Sequence, residues 1–122
     1  MKLILLSELL ATSLFTCRDE QSDMAAIKRM EDTLFKTYPD MMRVSVEVKA
    51  HRELNVVVGS KQLYNKPADQ KQSMANEIGS MALSVFGTNN ELDRGKVIFT
   101  KDERSTELNP PDAQPYNISF SK

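Results

Sequence analysis

The chain is poor in the residues that build cross-linked or reactive sites: 122 residues include one cysteine, one histidine and no tryptophan. A single thiol, Cys17, excludes an intramolecular disulfide, so any fold must hold by its core alone. No pair of thiols has the spacing of a structural zinc site. The four glycines form no phosphate-cradling loop. Charge of one sign is missing too, because 16 basic side chains face 17 acidic ones for a net of −1. Lys2 and Glu8 cancel, so the same balance holds after Cys17. Without a basic excess there is no electrostatic footprint for nucleic acid. There is no internal repeat, and only one long apolar run.

That run opens the chain, from Leu3 to Phe15 behind a positively charged start at Lys2, with Glu8 inside it. A spanning helix needs about 20 apolar residues, so the run is too short to cross a bilayer. A charged start, a short apolar stretch and polar residues near its end fit a secretory signal peptide. An uncleaved first helix packed on the domain, with Cys17 a buried thiol, is the alternative; but Ser7, Glu8, Thr12 and Ser13 do not gather on one face. A plain secretory signal or anchor is the third reading.

Leu14-Phe15-Thr16-Cys17 resembles the lipobox of bacterial lipoproteins. The resemblance implies that residues 1–16 are a signal peptide, that cleavage falls before Cys17, and that its thiol and the new amino terminus are acylated. Each buried methylene contributes about 0.8 kcal/mol, so such an anchor holds to a membrane far better than one chain. The expected place is the bacterial cell envelope, at the outer membrane or cell surface. Residues 17–23 are then the lipidated cysteine and its tether. Arg18-Asp19-Glu20 resembles the export signal of some bacterial surface lipoproteins, and reads equally as a solvated charged linker.

Residues 24–122 suffice for one domain. Ile27, Met30, Leu34, Phe35 and Tyr38 recur at three- and four-residue steps, which predicts an amphipathic helix over 24–38. Ser22 or Asp23 can cap it and Pro39 stops it. Strict alternation over 42–49 predicts a half-buried strand, and 54–58 a second. Facing the core sides pairs Val44 with Val58, Val46 with Val56, Val48 with Leu54, and Lys49 with Glu53. The turn, Ala50-His51-Arg52, lacks the usual glycine, which predicts a wider or distorted loop.

Residues 59–66 read as a connection. A second helix is predicted from Pro67 to about Phe86, stopped by Gly87. Gly79 within it costs about 1 kcal/mol, which predicts a close neighbour, the first helix or the sheet. Lys96–Lys101 and Tyr116–Phe120 are the remaining strands, separated by a segment with Pro110, Pro111 and Pro115 that reads as a flexible 102–115 loop.

The predicted fold class is α+β, order αββαββ. It is a mixed four-stranded sheet with both helices on its valine-rich face and the second and third strands parallel through a right-handed crossover. The opposite face would show Arg43, Ser45, Glu47, Asn55, Val57, Ile98, Asn117 and Ser119, mostly wet, with Val57 and Ile98 as an apolar centre.

His51 sits in a hairpin turn with no nucleophile at hand, and reads as an exposed turn residue. Asn89, Glu91, Asp93 and Gly95 place oxygens on alternate residues but miss the twelve-residue calcium pattern. Met30, Met74 and Met81 lie on core stripes and read as packing rather than copper ligands. Met41 and Met42 would point to opposite sides. Asp102, Glu103 and Glu107 form no fixed pair. No cofactor and no metal site is expected.

The expectation is therefore a small lipid-anchored envelope protein of non-enzymatic binding type. Its interaction face would comprise Arg43, Ser45, Glu47, Val57, Ile98 and Ser119, and its partners the membrane through Cys17 and a protein or a second copy of itself. The alternative is a small hydrolase or metal-dependent enzyme using Glu91, Asp93 and His51, which would need to converge in a pocket.

Overall fold

The computed structural model describes residues 24–87 and 90–120. The leader, Cys17, the tether with its candidate caps Ser22 and Asp23, and Asn89 lie outside the described residues. The first helix, α1, is described over 24–37 and ends two residues before Pro39. Ala26, Met30 and Leu34 are its buried stripe. Phe35, predicted on that stripe, stands 43% exposed at its margin.

Strands β1 (Arg43–Lys49) and β2 (Glu53–Gly59) pair antiparallel in the register that the alternation predicts, from Val44 opposite Val58 to Lys49 opposite Glu53. The loop between them does not widen. Arg52 N–H donates to Lys49 O at 3.0 Å, closing a tight turn. Ala50 and His51 reach it at φ 52° and 61°, the left-handed region that costs an L residue about 1–2 kcal/mol. The distortion the missing glycine predicts is thus in the backbone angles, not in the loop's span.

A one-turn helix, α2 (Lys61–Tyr64), occupies part of the predicted connection. Buried Ser60 caps it, its hydroxyl accepting from Leu63 N at 3.1 Å. Helix α3 (Ala68–Phe86) starts after Pro67 and stops at Gly87, whose φ of 85° suits glycine. A Cβ on Gly79 would lie 2.5 Å from Ile118 Cγ2, so the close neighbour is the sheet, through a side chain of its last strand.

Strand β3 (Arg94–Thr100) runs parallel to β2, and β4 (Gln114–Ile118) antiparallel to β3, giving the order β1-β2-β3-β4. The last strand begins two residues earlier than predicted and ends before Ser119 and Phe120. Pro115 is tolerated there because β4 is an edge. Leu54, Val56, Val58, Val97, Phe99 and Ile118 form the sheet's share of the core, under Met30 and Leu34 of α1 and Ala75, Ile78 and Ala82 of α3. The architecture is a single α+β domain.

Polar contacts trim the margins. Val46 N–H on edge strand β1 donates to Glu31 Oε2 at 3.3 Å, which occupies a donor that would otherwise invite pairing. Tyr38, just past α1, donates to Glu77 Oε2 of α3 at 2.5 Å. Burial first, and then the Glu77 carboxylate, push the Tyr38 phenol well above its ordinary value. Among the described residues no helix is long and apolar enough to cross a membrane.

Candidate functional site

The face of the sheet turned away from the core is organised in four cross-strand rows. Arg43, Gly59 and Thr100 form the first, Ser45, Val57, Ile98 and Pro115 the second, Glu47, Asn55, Lys96 and Asn117 the third, and Lys49, Glu53 and Arg94 the last. The first two rows and the last two have different surroundings.

Over the first two rows lies the 101–113 segment, the connection from β3 to β4. Arg43, 6% exposed, donates to the carbonyl oxygens of Asp102 and Glu107 and lies 4.0 Å from the Asp102 carboxylate. A Cβ on Gly59 would fall 2.3 Å from Asp102 O, so the segment rests directly on the glycine's bare backbone. Asp112 clamps the segment's far end, accepting from Thr100 Oγ1 at 2.6 Å and Lys101 N at 2.9 Å. The Thr100 bond is the main reason the Asp112 carboxyl falls below its ordinary value, followed by the Lys101 bond. Asp102 is held low chiefly by the N–H groups of Ser105 and then Arg104. With the segment in place Val57 is fully buried and Ile98 5% exposed, and neither belongs to the main core.

These burials correct the expected interaction face. Arg43, Val57 and Ile98 are not an exposed patch, because the segment read as a flexible loop is tied across that half of the sheet. Ser45 is half-buried, and Ser119, though exposed, lies beyond the end of β4. Of the expected face, Glu47 belongs to the half that is left bare.

The bare half holds a depression of about 200 Å³, lined by Glu53, Asn55, Arg94, Gly95, Lys96 and Asn117. Asn55, 6% exposed, donates through Nδ2 to Glu53 Oε2 at 2.9 Å, while its Oδ1 has no hydrogen-bond partner among the described residues. The Glu53 carboxylate also meets Arg94 Nε at 3.4 Å. The Asn55 bond is the largest of the effects that hold its pKa below the ordinary value, with Lys49, Arg94 and Lys96 adding to it. Charged and amide-bearing residues thus line one shallow basin, while the unpaired Asn55 oxygen is itself shut off from solvent. Sequence alternation places Asn55, Lys96 and Asn117 on this face, but the orphaned acceptor follows only from the orientation that Glu53 imposes on the amide.

A second polar cluster lies on the core side. Lys71 of α3, 5% exposed, donates to Tyr64 O at 2.8 Å and Gln114 Oε1 at 2.5 Å. Its ammonium sits 5.4 Å from the Tyr64 ring, 5.8 Å from Phe99 and 5.5 Å from Tyr116. Phe99 and Tyr116 themselves meet edge to face at 5.5 Å. This cation fastens α2 and β4 to α3 and is closed off from solvent.

The residues of the enzymatic alternative fall together only in part. Asp93 N donates to Arg52 O at 3.0 Å and Asp93 Oδ2 lies 3.9 Å from Arg52 Nε, which joins the hairpin turn carrying His51 to the 91–93 loop. His51, Glu91 and Asp93 are all exposed, and none lines the depression. Among the described residues no three His, Cys, Asp or Glu side chains are gathered to hold a metal; Asn89 of the calcium reading is outside that set. Met41 is buried and Met42 exposed, so the pair does point opposite ways.

No family model, no curated protein and no solved structure matches this chain.

Proposed function

We propose that the protein is a non-enzymatic binding module of the bacterial cell envelope, attached to a membrane by lipid on Cys17 and using the bare half of its sheet to bind. The observation that supports the binding reading is the depression of about 200 Å³ in that half, lined by Glu53, Asn55, Arg94, Gly95, Lys96 and Asn117. Attachment rests on the Leu3–Phe15 run that ends at Cys17. Intact-mass analysis of the membrane fraction tests it: wild type should show cleavage before Cys17 and added acyl chains, and Cys17→Ala should show neither. A wild-type mass that retains residues 1–16 overturns the anchor.

A second reading is favoured by one contact, that of Asp93 with Arg52, which brings the His51 turn beside the 91–93 loop. In that reading the turn and the loop form a hydrolytic or metal-dependent site at the sheet's end. Hydrolysis of a model ester that is lost in His51→Ala and Asp93→Asn, with the fold retained, would favour it over binding. A homodimer through the sheet face or an edge is tested by light scattering, where a monomer at high concentration removes it.

A further inference from the structure

We propose that a second copy of this chain docks on the outer side of α1, the two helices lying head to tail so that Met24 meets Phe35 and Lys28 meets Glu31 across a twofold axis. This contact lies apart from the bare half of the sheet and does not depend on an anchor at Cys17. Among the described residues the large apolar side chains left exposed are Met24, Phe35 and Met42, at 70%, 43% and 62%. Two of the three stand on α1. At about 100° per residue, Met24, Lys28, Glu31 and Phe35 fall within an arc of about 60°, well round the helix from the buried stripe of Ala26, Met30 and Leu34. That side is open to a neighbour. Glu31 Oε2 accepts from Val46 N–H, so it faces the free edge of β1, where no further strand stands among the described residues. The other flank turns toward α3, where Arg29 Nη2 donates to Val85 O at 3.5 Å.

The order of the residues selects the occupant. Their spacings of four, three and four are those of the seam in a two-helix coiled coil. From either end the seam reads apolar, charged, charged, apolar, and its two charges are opposite. Lys28 is exposed and joins no ion pair among the described residues. A copy lying antiparallel sets each Lys28 beside a Glu31 and each Met24 beside a Phe35. A parallel copy sets ammonium against ammonium and carboxylate against carboxylate. A surface complementary to itself in this way is what a twofold dimer requires, and a partner of another sequence would not require it. With charges at its centre the seam fixes orientation more than strength.

The test is disulfide trapping in the purified full chain at high concentration. Within one chain positions 24 and 35 lie about 16 Å apart along the helix, too far to bridge. Oxidation of the double variant Met24→Cys with Phe35→Cys should therefore give a dimer whose linked peptides, identified by mass, join position 24 of one copy to position 35 of the other. Neither single variant should link to itself at those positions, and Met24→Cys with Lys36→Cys, which is off the seam, should give little product. Adding Lys28→Glu to the double variant sets carboxylate against carboxylate and should lower the linked fraction at least about fivefold. Adding Glu31→Lys as well exchanges the charges and should restore it. These side chains are exposed or half-exposed, and an unchanged circular dichroism spectrum checks that each variant folds. No link between positions 24 and 35 overturns the inference. A link between two copies of position 24 in Met24→Cys alone overturns the head-to-tail order, and a linked fraction indifferent to Lys28→Glu overturns the ion pairs. Each of these failures leaves the mass test of Cys17 and the reading of the bare half standing on their own.

Discussion

On the sheet face away from the helices, Val57 and Ile98 at the centre of one row are buried beneath the 101–113 segment while Pro115 at its edge is exposed, and the next row, Glu47, Asn55, Lys96 and Asn117, lies beyond it. The same strands supply both. The segment leaves β3 at Thr100 and returns at Gln114, so it folds over the end of the sheet from which it departs, held there by Arg43 and Thr100 with the apolar pair Val57 and Ile98 behind them. Past Val57 and Ile98 the outward positions are charged or amide-bearing, as water requires. One alternating pattern therefore yields a second small core at one end and a polar surface at the other.

The largest way to break the comparison is to put the same charge into both halves. Val57→Asp removes about 1.5–3 kcal/mol of apolar burial and strands a carboxylate in a dry site. The loss should exceed about 4 kcal/mol and leave little folded protein in a denaturant titration. Asn117→Asp, exposed in the bare half, should stay within about 0.5 kcal/mol of wild type. Similar losses at both positions would mean that the roof does not separate two environments. The second test is steric: at Gly59 an added methyl meets Asp102 O and Arg43 Cβ. Gly59→Ala should cost about 1–3 kcal/mol and speed proteolysis within 101–113.

How much of this is readable from sequence differs between the two halves. The hairpin register, the parallel step from β2 to β3, the limits of α3 and the identity of the outward residues all follow from periods of two and of 3.6 and from Pro67 and Gly87. The roof does not follow, because its contacts are made by groups with no pattern. Arg43 bonds to backbone carbonyls more than fifty residues away, and Gly59 matters for the side chain it lacks. Runs of polar residues with prolines read as mobile until the partners of Asp102 and Asp112 are known. Lys71 is similar: on a helical wheel it is a polar residue near the start of α3, and only the convergence of Tyr64, Phe99 and Tyr116 makes it a buried one. In the bare half Asn55 and Lys96 are legible as outward residues, but Asn55's missing donor is not.

Acid should separate the halves reversibly. Asp102 and Asp112 have folded-state pKa values below the ordinary 3.8, so the stability they add is present above that value and is lost as pH falls through the folded values. Lowering the pH below about 4 should therefore move the resonances of Gly59 and Thr100 before global unfolding. Asp112→Asn should remove its part of that response. A roof that stays closed under those conditions would show that Arg43 and packing hold it without the carboxylates.

The smallest effect concerns the turn that bounds the bare half. Ala50 lies at φ 52° without the glycine that this angle favours. Ala50→Gly relieves about 1–2 kcal/mol of left-handed strain, while the added freedom of the unfolded chain takes back about 0.5–1 kcal/mol. The net gain should be about 0.5–1 kcal/mol, seen as a Tm higher by a few degrees. Strain that persists in a fold can mark a place where geometry is held for function. Ala50 is two strand rows from Asn55 but next to Lys49, which pairs with Glu53 at the rim of the depression. If the turn only connects strands, Ala50→Gly gains stability and leaves the Asn55 and Lys96 resonances where wild type has them, which is the expected result. A gain in Tm accompanied by displaced Asn55 and Lys96 resonances would show that the strained turn sets the geometry of the depression, through Lys49 and Glu53.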